Sequence, residues 1–104
     1  MTKQEQIKFF GDYTDKMAEI MLNKGDDYAG EDRLSNFKQV AQICGIKPQT
    51  AILALIATKV ARLSQLYSGK TPKNESINDS IVDLSNYSVL LAMIEAETQQ
   101  EKEQ

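Results

Sequence analysis

Two sets of charged side chains lie on segments that are otherwise apolar or helical in pattern. Lys59 and Arg62 are one turn apart in the most apolar stretch of the chain, and Glu75, Asp79 and Asp83 follow at a spacing of four. Residues spaced by four project from one face of a helix. Charges beside an apolar stripe must be paired, because an isolated buried charge is very costly. If the two segments are antiparallel neighbours, Arg62 approaches Asp79 and Lys59 approaches Asp83.

Such a cluster permits two interpretations, and both can hold at once. In the first, the pairs are interhelical salt bridges that fix the register of two helices. In the second, they line a polar pocket in which the acidic groups hold Mg²⁺ or the basic pair holds a phosphate.

A third polar group follows the first apolar stripe. Lys24, Asp26, Asp27 and Tyr28 lie close together, and Asn36 comes just beyond them. An aromatic ring in a polar segment can stack on a base. We therefore favour a ligand or partner contact for Tyr28.

Two later residues complete the candidate set. Phe37 lies on an apolar stripe, so we expect it to pack in the core. Asn86 is polar on a largely apolar segment, and we expect it to bridge helices or to line the pocket.

The residue inventory excludes several kinds of site. The 104-residue chain has no histidine, so histidine-based metal sites, Ser-His-Asp triads and Cys-His dyads are absent. Cys44 is the single cysteine and cannot form an internal disulfide, which favours a reducing cytoplasm. We expect Cys44 to pack as a small buried hydrophobe. The sequence shows neither a secretory signal nor an apolar run long enough for a membrane span, so we expect no membrane association.

The net charge of −3 is unevenly distributed. The last ten residues, EAETQQEKEQ, hold four glutamates and one lysine, so the acidity belongs to this tail. The remainder is balanced and has no basic stripe, which argues against binding to long nucleic acid. A small anionic ligand needs only a local pair of basic groups.

The elements that must position these residues have helical periodicity. Apolar residues spaced by three and four predict a helix over about Lys3–Asn23, followed by a loop over Lys24–Arg33 in which Gly25 ends the helix. A short helix is predicted over Leu34–Ile43. Gly45 then ends it and Pro48 starts the next helix, which extends to Tyr67.

A last helix is predicted to start near Asn74 or Ser76, with Ser76 as its cap. We expect residues 1–96 to form one helical domain and residues 97–104 to be a polar tail that is frayed or disordered. No segment has the period of a strand. The predicted fold is therefore all-α, a small helical bundle of three long helices and one short helix. The run AILALIA is apolar all round, which predicts a homo-oligomer.

Four motifs in order resemble the nucleotide modification associated domain family, which occurs in small helical proteins of phages and bacteria. The motifs are KGDDY, SNF, KVARL and NESINDSIVDLSNY. They place the family pattern on Lys24, Asp27, Tyr28, Asn36, Phe37, Lys59, Arg62, Asp79, Asp83, Asn86 and Tyr87. The resemblance covers roughly residues 15 to 95 and implies a connection with nucleotides rather than a defined reaction.

A more distant likeness is to the all-α nucleoside triphosphate pyrophosphatases of the MazG type. Those use an E-x-x-E pair and an E-x-x-D pair to bind Mg²⁺. Asp83 matches the last acid, but Lys59 and Arg62 occupy the E-x-x-E positions and Ser80 lies three residues before Asp83. Replacing carboxylates by cations removes the charge that holds a metal and favours phosphate instead.

These observations lead to three hypotheses. The first is a cytoplasmic binding protein for a nucleotide or cyclic nucleotide-like molecule, without a cofactor, which in a phage could sequester a nucleotide signal without cleaving it. Lys59 and Arg62 would contact phosphate, and Tyr28 would close over the base. The remaining residues of the predicted site would orient those cations or bind the base and ribose: Lys24, Asp27, Asn36, Asp79, Asp83 and Asn86.

The other two hypotheses assign different roles to the same charges. A Mg²⁺-dependent nucleotide phosphohydrolase would use Glu75, Asp79 and Asp83 together with Asp26 and Asp27. An interaction module without enzymatic activity would use the charged groups only as structural bridges. We expect binding rather than catalysis.

Overall fold

The computed structural model describes residues 1–28 and 30–103, except for the side chain of Tyr28. The described residues form four helices and no strand: α1 (Lys3–Tyr28), α2 (Ser35–Cys44), α3 (Pro48–Tyr67) and α4 (Ile77–Glu103). The predicted all-α class is confirmed. Both ends of α3 are the predicted ones.

Helix α1 is longer than predicted, because Gly25 does not end it. A Cβ atom at Gly25 would collide with the guanidinium of Arg33. Arg33 crosses the helix there, donates to the carbonyl oxygen of Leu22 at 2.8 Å and binds Asp26 at 2.7 Å. The glycine therefore makes room for a side chain that adds a hydrogen bond to a carbonyl within the helix. The predicted loop over Lys24–Arg33 is wrong for its first five residues.

The junction between α2 and α3 matches the prediction. Gly45 has φ 66° and ψ 36°, the left-handed conformation that closes a helix, and Pro48 occupies the first turn of α3. Cys44, the last residue of α2, is exposed, so its predicted burial is wrong. In the described part of the chain, no helix taken alone has the length and apolarity of a membrane span; α2 and α3 meet that criterion only as a pair bent by 97°.

Helix α4 begins as predicted and ends later. The hydroxyl of Ser76 accepts a hydrogen bond from the Asp79 N–H at 3.0 Å, which confirms the predicted cap. The expected frayed tail is wrong for residues 97–103, which continue the helix. Glu97 binds Lys38 at 2.9 Å, so a contact with another helix holds this segment.

Helices α3 and α4 pack antiparallel and form most of the contacts between helices. Gln49 donates to Glu95 at 2.9 Å near one end, and Arg62 donates to Ser80 at 3.2 Å near the other. A buried cluster joins this pair to α2: Leu34, Phe37, Ile52 and Ile94. Helix α1 packs mainly on α4, and its first ten residues are exposed.

Candidate functional site

A charged cluster lies where α3, α4 and the end of α1 meet. The Nζ atom of Lys59 is 2.8 Å from Glu75 Oε1 and 3.1 Å from Asp83 Oδ2. The Nζ atom of Lys24 is 3.0 Å from Asp83 Oδ1. The predicted pairing of Lys59 with Asp83 is confirmed, and both side chains are only 14% exposed. Asp83 therefore holds two ammonium groups at once.

Arg62 pairs with Glu75 rather than with Asp79. It donates to the carbonyl oxygen of Glu75 at 2.6 Å and to the hydroxyl of Ser80 at 3.2 Å, and its Nε lies 3.9 Å from Glu75 Oε2. The predicted pair with Asp79 is wrong, because the register that sets Lys59 against Asp83 sets Arg62 against Ser80. Asp79 lies about 100° further round α4 and is exposed. Glu75 reaches the cluster because it precedes the helix.

The pairing outweighs the cost of burial for both central groups. Burial disfavours the charged form of Asp83, but hydrogen bonds from Lys24 and Lys59 outweigh it and lower the pKa below its usual value. Burial likewise disfavours the ammonium of Lys59, but hydrogen bonds to Glu75 and Asp83 outweigh it and raise the pKa. Both residues are therefore charged at neutral pH.

A cleft of about 510 Å³ opens beside the charged cluster. Its walls come mainly from α1, α2 and α4. Phe37 and Tyr87 supply aromatic rings, Asn36 and Asn86 supply amides, and Asp83 belongs to both the cleft and the cluster. The other lining residues are two basic groups, a glycine and a largely aliphatic remainder: Lys24, Arg33, Gly25, Ile20, Met21, Leu22, Leu34, Leu55, Leu90 and Met93.

Asn86 carries an unsatisfied acceptor in this cleft. It is 5% exposed, and its Nδ2 donates to the carbonyl oxygen of Met17 at 3.1 Å. Its Oδ1 is buried and has no hydrogen-bond partner among the described residues. A buried acceptor without a partner is costly, and this oxygen can meet a donor in the cleft only after the Asn86 side chain turns toward the cleft.

The structure brings together only part of the predicted site. The predicted residues that line the cleft are Lys24, Asn36, Asp83 and Asn86. Lys59 is linked to the cleft through Asp83, and Arg62 lies one turn further along α3. Asp27 and Asp79 are exposed and do not line it. The side chain of Tyr28 lies outside the described residues.

Sequence reasoning missed Arg33 and named Tyr87 only as a position of the family pattern, outside the predicted site. Tyr87 packs against the buried cluster and also lines the cleft. The position of Arg33 depends on its fit over Gly25, and no motif signals that contact. Tyr87 could have been found, because it directly follows Asn86 in the motif that carries the family resemblance.

The acidic groups proposed for Mg²⁺ are not arranged as metal ligands. Glu75 and Asp83 both accept from Lys59, and Asp26 binds Arg33. In the described part of the chain, no group of three or more aspartate, glutamate or cysteine side chains is placed to hold a metal ion.

Comparison of the chain with protein-family models, with curated proteins and with solved structures finds no match. The resemblance carried by the four motifs therefore stays a prediction. Inference about function rests on the geometry of the cleft and its charged neighbours.

Proposed function

We propose that the protein binds a nucleotide or a related phosphorylated small molecule in the cleft between α1, α2 and α4. The observation that carries this proposal is the composition of the cleft. Two aromatic rings, two amides and an exposed lysine line one space of about 510 Å³, a volume typical of small-molecule sites.

The inner part of the cleft suits a base. Tyr87 offers ring surface for an apolar, planar group, and Phe37, which is 9% exposed, adds a small apolar area beside it. The free Oδ1 of Asn86 accepts a hydrogen bond, and amino and ring N–H groups of a base are donors. Asn36 supplies a second amide in the same cleft. A base bound here would satisfy the buried acceptor once the Asn86 side chain turns toward the cleft, because its Oδ1 is closed to solvent in this structure.

Lys24 is the group best placed to contact phosphate. Its side chain is 57% exposed, and its one acidic partner among the described residues, Asp83, also binds Lys59. Lys24 can therefore turn to an anion without leaving a buried carboxylate unpaired. Lys59 is confined by Glu75 and Asp83, so the proposal gives it the role of holding Asp83 rather than of contacting phosphate directly.

Binding alone is sufficient for sequestration of a nucleotide signal, the role that the resemblance to phage proteins suggests. We include it in the proposal, because the carboxylates near the cleft are engaged by lysines. We also propose that the protein is a homo-oligomer, as the apolar sequence of α3 predicts.

Thermal-shift and calorimetric titrations with nucleoside monophosphates, cyclic dinucleotides and the parent nucleosides test the proposal. A ligand at 100 times its Kd adds about 2.7 kcal/mol to the free energy of unfolding, which is a clear rise in Tm. We expect Lys24→Gln to weaken binding of the phosphorylated ligand about tenfold and to spare the nucleoside. Lys8→Gln is the matched control. Like Lys24, Lys8 is a lysine of α1 that binds an aspartate, but it lies outside the cleft.

The variant Asn86→Leu tests the contact with the base separately from the contact with the phosphate. It removes the amide acceptor, so we expect it to weaken the binding of nucleotides and of nucleosides alike. No stabilisation by any nucleotide at millimolar concentration would refute the proposal, and so would unchanged nucleotide affinity in Lys24→Gln. Release of phosphate or pyrophosphate in the presence of Mg²⁺ would favour the phosphohydrolase hypothesis instead.

A further inference from the structure

The outer face of α3 carries no charge along its whole length. Within Pro48–Tyr67, all of which the structure describes, the charged residues are Lys59 and Arg62, and both point to α4 or Glu75. Leu53, Val60 and Tyr67 lie on the outer side and are 56%, 51% and 68% exposed. A protein surface normally has charges of both signs interspersed. A charge-free apolar face of this length marks an interaction surface.

Small residues run beside these large ones. Ala54, Ala57, Ala61 and Ser64 are all exposed and recur at spacings of three and four, so they lie in one row along α3. The outer face therefore combines a flat row of small side chains with an adjacent row of large apolar ones. Large residues of one helix can pack over small residues of another at close range.

We propose that this face binds the same face of a second copy of the chain, with the two α3 helices antiparallel about a twofold axis at Ala57. A twofold interface requires a surface that is complementary to itself. A face without charges meets this requirement, because pairing brings no like charges together. Centring the pair on Ala57 sets Leu53 against Ala61 of the second copy and Val60 against Ala54 of the second copy, so these two large residues each meet a small one. Tyr67 lies opposite Lys47 of the second copy, the residue before α3.

The area reaches the lower limit for a specific dimer interface. Helix α3 has 20 residues, which corresponds to a length of about 30 Å. With the exposed fractions of its large residues, the face offers on the order of 500 Å² per copy. An α3–α3 pair therefore buries about 1,000 Å² in total, which reaches the size of a specific interface.

An exposed apolar segment on α1 fits a second copy less well. Ile7, Phe9 and Phe10 on α1 are also exposed, but they alternate with Lys8 and Asp12. These residues therefore supply a control surface of similar exposure on another helix.

Analytical ultracentrifugation of the full chain at about 10 μM tests the inference. We expect wild type to sediment at twice the chain mass of 11.7 kDa. Ala57→Glu and Ala57→Lys each bring like charges together on the axis and should raise the dimer Kd about 100-fold or more. An equimolar mixture of the two variants should form a heterodimer, because opposite charges then meet. The control Phe10→Glu should remain dimeric.

Circular dichroism shows whether the Ala57 variants fold, and we expect native helicity because Ala57 is exposed in the single chain. A monomeric wild type would overturn the inference and leave the face to a different partner. A dimer that survives Ala57→Glu but dissociates in Phe10→Glu would move the interface to α1. Dissociation of both Ala57 variants without reassociation on mixing would overturn the antiparallel pairing at Ala57.

Discussion

The pairing of Lys59 with Asp83 can be measured by a double-mutant cycle with Lys59→Met and Asp83→Leu. Removing one partner of a buried ion pair usually costs about 3–5 kcal/mol, because the other charge is left without a partner. Here each single change leaves a substitute. After Lys59→Met, Asp83 keeps Lys24 at 3.0 Å, and after Asp83→Leu, Lys59 keeps Glu75 at 2.8 Å.

These substitutes reduce the expected cost of each single variant to about 1–2 kcal/mol. The double variant removes both charges from a site where each is 14% exposed and replaces them with apolar side chains. It should therefore cost less than the sum of the two single variants, with an interaction free energy of about 1 kcal/mol.

Urea unfolding followed by circular dichroism at one fixed protein concentration gives the four free energies of unfolding. The matched control is the pair Lys8 and Asp12, which has a shorter distance of 2.7 Å but is 79% and 67% exposed. Its interaction free energy should be clearly smaller than that of Lys59 with Asp83, because solvent screens an exposed pair. Additivity of Lys59→Met and Asp83→Leu to within about 0.4 kcal/mol, or an equal value for the control pair, would refute the reasoning.

The pKa directions give two further predictions. Because the pKa of Asp83 is lowered, its contribution to stability is present above pH 3.8 and is lost as the pH falls through the lowered pKa, so the stability difference between wild type and Asp83→Asn should shrink only in acid. The raised pKa of Lys59 has the opposite effect, and the difference between wild type and Lys59→Met should shrink only as the pH rises above 10.5. A difference that disappears near neutral pH in either titration would contradict these directions. Urea unfolding of two alanine variants is a separate test. The methyl group of Gly11→Ala has open space around it, so this variant should stabilise α1 by about 0.5–1 kcal/mol. The methyl group of Gly25→Ala displaces Arg33, so this variant should show no such gain. Equal stabilisation by both alanines would show that the contact of Arg33 is unimportant.

Local chemistry predicts most of the element boundaries. Pro48, the left-handed Gly45 and the Ser76 cap act within one turn of a helix end, so their effects are visible in the sequence. The errors occur where a contact with a residue distant in sequence determines how far a helix extends. Gly25 stays helical beneath Arg33, and Glu97 is held by Lys38. Such contacts depend on how helices pack, and local sequence patterns do not encode packing.

The candidate site shows the same division. Opposite charges on two antiparallel helices predict that Lys59 meets Asp83, because the register relates the two positions directly. The same argument fails for Asp79, since the true partner of Arg62 is Glu75, which precedes α4 and follows no helical spacing. The cleft could not be located from the sequence, because one of its walls is α1, and the periodicity of α1 marks its apolar side but not the helix against which that side packs.

Asp83 connects the structural and the ligand-binding interpretations of the charged residues. The cluster contains three cations, Lys24, Lys59 and Arg62, against the two carboxylates of Glu75 and Asp83. It therefore has an excess of one positive charge, and Lys24 is its most exposed cation, at the cleft. A phosphate at Lys24 would neutralise that excess while Lys59 keeps Asp83 paired. The salt bridges that fix the register of α3 and α4 thus make Lys24 available to an anion, so Lys59→Gln should weaken nucleotide binding indirectly, by confining Lys24 to Asp83. Calorimetry of that variant can test this dependence, and an affinity equal to that of wild type would show that the two interpretations are independent.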